Sequence, residues 1–151
     1  GWPVATYALA RERSSALAQR SLQLSRELTR MLSALDDVHR DACAENALVD
    51  AFVRTRVVDS TVRRVFALDA DAAEPGMLAP IAKVLWSESH QKQLATLLEA
   101  AGPEVAAAGA GWSEWTRSLL FARAETIYGG TSEIQRLIIG GGLVRAAKKA
   151  S

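Results

Sequence analysis

An all-α fold, arranged as an antiparallel four-helix bundle, is what this sequence predicts. Apolar residues recur at helical spacing in successive blocks, strand-like alternation is hard to find, and short polar or Pro-Gly breaks separate the blocks. In the first block Leu17, Leu24, Leu28, Met31 and Leu35 share one face, while Arg13, Arg20, Glu27 and Arg30 lie largely off it. That spacing predicts a helix from near Val4 to near Leu35. The polar run LDDVHRD turns the chain, and a second helix carries Leu48, Phe52, Val58, Val62 and Val65 as its apolar positions. ALDADAAEPG is small and acidic and ends in Pro-Gly, which marks a connection. A third helix follows with Leu78, Ile81, Leu85, Leu94, Leu98 and Ala101, and Gly102-Pro103 stops it. EVAAAGAG offers little to bury and reads as a crossing before a shorter helical segment led by Trp112 and Trp115. A final helix closes the bundle.

Composition narrows the function classes. With 151 residues and 49% hydrophobic content the chain suffices for one ordinary core, so residues 1–151 are read as one domain. Eighteen basic and 17 acidic residues are spread along the chain, without the basic block that signals nucleic acid. Cys43 is the single cysteine, which excludes an internal disulfide and suits a reducing compartment. No apolar run reaches the length of a membrane span, and the N-terminus has no secretory pattern. The expectation is a cytoplasmic protein and, since it begins without an initiator Met, a piece of a longer one. His39 and His90 have no second His or Cys at ligand spacing, so no metal site is expected and both are read as surface groups. The neighbourhood of Trp86, Ser87, Glu88 and His90 contains no nucleophile elbow for a hydrolase triad.

The stretch TIYGGTSEIQRLIIGGG, Thr126 to Gly142, carries the chemistry. Gly129 and Gly130 lack a Cβ, so the chain there can take positive φ and let other atoms come close. Ser132 followed by Gln135 fits a capping box, Glu133 suits the positive end of a helix, and Ile134, Leu137 and Ile138 supply an apolar stripe. The first amides of such a helix lack intrahelical partners and suit a phosphate or the polar edge of a cofactor. Most glycine turns before capped helices are only turns, and that reading stands beside the ligand-binding one.

IYGGTSEIQRLIIG closely resembles the last-helix signature of the acyl-CoA dehydrogenases, flavoenzymes whose C-terminal domain is a four-helix bundle. GWPVATYALARERSSALA resembles the family's approach to the first helix of that domain, and LAPIAKVLWSESHQKQLATLLEAAGP and LLFARAETIYGGT look like its third helix and final approach. The resemblance covers essentially the whole chain but only the C-terminal domain of the enzyme; the N-terminal helical and middle β domains are absent from it. It implies FAD as cofactor, an acyl-CoA substrate, an acceptor such as an electron-transfer flavoprotein, and a homo- or hetero-tetramer formed through the bundle.

Many relatives place the catalytic Glu directly after the Tyr of the final motif, where this sequence has Gly129. A second branch keeps a small residue there and takes its base from an Glu-Arg pair on the first helix, which here is Glu12-Arg13. The resemblance therefore implies Glu12 as general base, Arg13 as its holder, Gly129 as room for substrate and Tyr128 as a wall of the acyl pocket. Gly130, Thr131 and Glu133 fall at flavin-contacting positions, with Glu133 departing from the Gln of some members. Without the resemblance, Glu12 and Arg13 read as solvated helix residues and Tyr128 as packing. The family's Arg-x-x-Phe-Gly run and its Gln with a Gly-Gly-x-Gly loop, both of which reach a neighbouring subunit's flavin, are replaced by DDVHRDACAEN and LLEAAGPEVAAAGAG. That implies either a different partner chain supplying those contacts or a homotetramer with weakened flavin binding. Two rivals remain: a non-catalytic oligomerisation subunit, and an acyl-CoA oxidase-like enzyme. Gly140, Gly141 and Gly142 each cost about 1 kcal/mol in a helix interior relative to Ala, which predicts fraying of the last turns beside Lys148 and Lys149.

Overall fold

The computed structural model describes the backbone of residues 1–35, 42–69, 77–107 and 110–150, and side chains at 1, 16–35, 42–67, 77–102 and 113–150. Among these residues five α-helices and one 3-10 turn follow in order: α1 (Trp2–Ala34), α2 (Ala42–Asp69), α3 (Leu78–Ala107), α4 (Ala110–Ala122), the 3-10 turn Arg123–Thr126, and α5 (Ser132–Ala150). No strand occurs among the described residues. The all-α bundle expected from periodicity is the architecture found. Pro3 sits in the first turn of α1, where a missing N–H leaves no hydrogen bond unmade. Gly102 breaks α3 with φ 77° and ψ 164°: the proline that follows disfavours the helical region there, and glycine tolerates the positive φ. Beyond it the chain is helical to Ala107 and again from Ala110, so most of the expected open crossing is helix.

α3 is the central element, packed by α1, α2, α4 and α5. Two apolar clusters flank its middle. Leu17, Leu24, Val58, Val62, Val65, Ala82 and Trp86 join α1, α2 and α3 at one end. Met31, Leu35, Leu48, Leu94, Leu97, Ala101, Trp115 and Ala122 join α1 through α4 at the other. The expected stripe of α1 is thus buried throughout. On α2 the stripe is Leu48, Ala51, Thr55, Val58, Val62 and Val65, at three- and four-residue steps. Phe52 departs from the expectation: it lies one position off this face and is 53% exposed.

A polar layer separates the two clusters. Thr55 donates from its hydroxyl to Gln93 Oε1 at 3.1 Å, and Gln93 Nε2 donates to the Leu24 carbonyl at 3.3 Å. Ser21 donates to Asp59 Oδ1 at 3.4 Å, tying α1 to α2. Such groups are tolerated inside because each finds a partner.

The final helix corrects two expectations. It does not fray at its glycines, since α5 runs through Gly140–Gly142 to Ala150. Gly142 is buried, and a Cβ there would collide with the Met77 side chain, so this glycine permits close packing of α5 on the start of α3. The stripe Ile134, Leu137 and Ile138 is exposed, and α5 buries Ser132, Gln135 and Gly142 instead.

Candidate functional site

The Gly-Gly turn is built from both sides. Ile127 and Tyr128 each donate an amide hydrogen bond to the Ala124 carbonyl at 2.9 Å, which ends the 3-10 turn. Gly129 and Gly130 then take φ 67° and 98°, a region that favours glycine. A Cβ at Gly129 would meet nothing within 4 Å, so that position opens on free space, whereas at Gly130 it would strike the Gln135 amide.

Thr131, not Ser132, caps α5. Its Oγ1 accepts from the Ile134 amide at 3.3 Å, and its carbonyl accepts from the Gln135 amide at 2.9 Å. The cap thus falls one residue before the expected one and the Ser132–Gln135 box does not form, since Gln135 Nε2 instead donates to the Gly129 carbonyl at 3.2 Å. Glu133 lies at the helix end as expected. Its own amide, then the Thr131 hydroxyl, hold its carboxyl below the usual range, with smaller help from Arg136 and Lys83. Ser132 Oγ and Gln135 Oε1 are buried and have no hydrogen-bond partner among the described residues.

Tyr128 is part exposed, tilted against Phe121 at 6.5 Å between ring centroids. The Arg20 guanidinium stands 6.0 Å from its ring centre and 5.3 Å from that of Trp86. Burial, then the charge of Glu125, push the Tyr128 hydroxyl pKa up. Arg20 brings α1 to the turn. Glu12 and Arg13 lie eight and seven residues before it on the same helix, Glu12 roughly 12 Å away along the axis; their side chains are outside the described residues. Tyr128, Gly129, Gly130, Thr131 and Glu133 are thus gathered in one turn, and α1 runs beside it.

The sequence reading missed a buried charge cluster behind this turn. His90, expected at the surface, is 4% exposed, because α3 is enclosed on several sides. Its Nδ1 lies 2.7 Å from Glu125 Oε2 and its Nε2 2.6 Å from Glu27 Oε2. Burial alone would lower the imidazole pKa, but hydrogen bonds to Glu125 and Glu27 and then their charges raise it from 6.5 to about 9. Burial would raise the Glu27 carboxyl, yet His90, Gln23 and Arg30 outweigh it and bring its pKa below the usual value. One signal was present: His90 lies four residues after Trp86 and four before Leu94, on the buried face of α3. His39 falls outside the described residues. Among those described, no group of three or more His, Cys, Asp or Glu could hold a metal ion, and no helix is long and apolar enough to cross a membrane.

This bundle, with its glycine turn feeding the last helix, defines the class. The chain belongs to the acyl-CoA dehydrogenase family: residues 1–144 match the family described as acyl-CoA dehydrogenase, C-terminal domain. It is 31% identical over 155 residues to acyl-CoA dehydrogenase IpdE1 of Mycobacterium tuberculosis, covering 98% of this chain and 40% of that protein. It is 32% identical over 145 residues to IpdE1 of Mycolicibacterium smegmatis, covering 92% of this chain and 35% of that protein. The chain therefore spans about two-fifths or less of the length of these relatives. Its fold is similar to the crystal structure of the prolyl acyl carrier protein oxidase AnaB, with TM-score 0.81, 22% identity, and coverage of 95% of this chain and 39% of that one.

Proposed function

We propose that this chain is the C-terminal domain of a flavin-dependent acyl-CoA dehydrogenase that converts an acyl-CoA to its α,β-unsaturated thioester. The observation that carries the reading is the family match over residues 1–144, together with the open Gly129 turn at the start of α5. FAD, when bound, supplies the acceptor for the hydride that leaves the β carbon. Glu12 takes the proton from the α carbon, and as both leave, the α–β bond becomes double. A Glu base suits this step only with its pKa raised by a dry, substrate-filled pocket. Arg13 orients Glu12, Tyr128 walls the acyl chain, and Gly129 leaves the space that a side chain would fill.

The turn has the chemistry to hold the polar part of a flavin. Ser132 Oγ and Gln135 Oε1 lack partners among the described residues, Gly130 brings backbone close, and Thr131 carries a hydroxyl at the helix start. Glu133 already places a carboxylate on its own amide in the first turn, so this helix end suits hydrogen-bond donors of the cofactor better than its phosphates. Contacts from the absent domains, and from a neighbouring subunit in place of the Arg-x-x-Phe-Gly and Gln-loop motifs, complete the site. A different partner chain is the favoured source of the latter, because this sequence carries neither motif.

Glu12→Gln in the full-length protein tests the reading. Flavin should stay bound while anaerobic flavin reduction by the cognate acyl-CoA slows by roughly 10²–10⁴-fold, the range for loss of a general base. Unchanged reduction would remove Glu12 from the mechanism. A full-length protein that holds no flavin, alone or co-expressed with a neighbouring dehydrogenase subunit, would favour a non-catalytic assembly role; oxygen consumption during turnover would mark an oxidase.

A further inference from the structure

Three side chains of α3 hold the segment that leads into the glycine turn. Lys83 Nζ donates to the Glu125 carbonyl at 2.8 Å, Gln91 Nε2 donates to the Ala122 carbonyl at 2.8 Å, and His90 meets the Glu125 carboxylate. His90 adds a grip on α1 through Glu27. The imidazole suits this place because its two nitrogens point to different sides of one rigid ring, so a single residue reaches carboxylates on two separate elements. A Gln carries its donors on one nitrogen, and a Lys has one flexible head.

We propose that His90 is a positioning residue: clamped between Glu27 and Glu125, it fixes the Tyr128–Thr131 turn against α1 and so sets the register between the two halves of the proposed active site. This rests on the reading of α1 and the turn as those halves. Glu125 stands three residues before Tyr128, and both turn amides at Ile127 and Tyr128 bond to Ala124, so little slack separates the clamp from the turn. On the α1 side, Glu27 lies seven residues after Arg20, two helical turns along, and Arg20 reaches the Tyr128 ring.

The clamp works through both N–H groups, which only the protonated ring possesses. Once the ring loses a proton, one nitrogen presents a lone pair to a carboxylate oxygen and that contact turns repulsive. The charged groups around the clamp are Arg20, Glu27 and Arg30 on α1, Lys83 on α3, and Glu125 on the 3-10 turn, with the Tyr128 hydroxyl beyond it. On α2, Asp59 is engaged by Ser21 and Arg63, and Asp50 by Arg54 and Lys92. Release of the turn should therefore follow the ring, whose pKa is about 9.

Hydrogen–deuterium exchange of the full-length protein from pH 6.5 to 10, corrected for intrinsic rates, tests this. In the wild type, protection of the peptide 123–131 should fall as pH rises through about 9, by about tenfold or more beyond any loss it shares with the α2 peptide 51–65. In His90→Gln the same peptide should be poorly protected at pH 7 and insensitive to pH. If turnover is present, its kcat should follow the same alkaline limb in the wild type, with KM little changed, and the limb should vanish in the variant. Wild-type protection of 123–131 that ignores pH, or an equal loss along the whole chain, would overturn the positioning role. Should His90→Gln fail to fold, the wild-type series decides the matter by itself. A pH-dependent turn in a protein without acyl-CoA turnover would support the clamp and sink the active-site reading.

Discussion

α3 and α5 break the ordinary hydrophobic pattern in opposite directions. α3 buries Lys83, Ser87, Ser89, His90, Gln93 and Thr96 along with its apolar residues, whereas α5 exposes Ile134, Leu137, Ile138, Leu143 and Val144 and buries Ser132, Gln135 and Gly142. The difference follows from their neighbours. α3 is surrounded by four helices, so its polar side chains must go inside and each needs a partner; α5 packs on α3 over a close, glycine-permitted contact, which leaves its apolar face outward. In this domain, the proposed site lies where polar groups are enclosed and where a helix end is open, and bulk hydrophobicity marks neither.

The largest effect expected is on the enclosed side of that comparison. Glu125→Ala removes one carboxylate and leaves the His90 ring buried with an unmet donor, which should cost about 3–5 kcal/mol of stability. Urea denaturation of the two proteins measures it; a loss below about 1 kcal/mol would mean that water reaches the cluster. The pH dependence is a second way into the same cluster. The His90 pKa is raised on folding from 6.5 to about 9, so its contribution, on the order of 3 kcal/mol, is fully present below pH 6.5 and lost as pH rises to 9. The lowered Glu27 pKa acts oppositely: its contribution is present above the ordinary carboxyl range and is lost as the solution becomes acidic. Stability against pH should therefore fall on both sides of neutrality, and His90→Gln should flatten the alkaline side.

Leu24, 1% exposed, tests the ordinary core between α1 and its neighbours. Leu24→Ala should cost about 3 kcal/mol, within the range for a buried leucine. Leu137→Ala on the outward face of α5, where Leu137 is 72% exposed, should cost less than about 0.5 kcal/mol in this chain. A clearly larger loss in the full-length protein would show that another domain or copy covers α5.

How much of this was legible follows from the same physics. α1 and the Val58–Val62–Val65 part of α2 announce themselves because one face of each helix is apolar and that face is the buried one. The family motif on Ile127–Gly140 is likewise readable, since it is a contiguous string. Phe52 was misplaced by one residue because an aromatic outweighs Ala51 in any hydrophobicity reading, although Ala51 is the residue that fits between helices. The His90 cluster was invisible for a different reason: Glu27, His90 and Glu125 are separated by 63 and 35 residues, and only the packing of three elements brings them together. The cap moved from Ser132 to Thr131 because two adjacent hydroxyl residues offer the same signal, and the choice depends on where Gly130 releases the chain.

Small effects of opposite sign separate two glycines only two residues apart on α5. Gly140 is exposed, and a Cβ there would meet nothing within 4 Å, so Gly140→Ala should stabilise the protein by about 1 kcal/mol through helix propensity and a less flexible unfolded chain. Gly142→Ala gains the same propensity but drives a Cβ into Met77, whose inner side-chain atoms are the ones struck, so repacking should outweigh the gain and the net change should be a loss of about 1 kcal/mol. The two substitutions should therefore shift Tm in opposite directions. Met77→Ala sharpens the test: in that background Gly142→Ala should turn from destabilising to stabilising, because the obstacle is gone and the propensity remains. If both glycines respond alike in the wild-type background, α5 does not press against the start of α3, and the close contact that turns its apolar face outward would have to be abandoned.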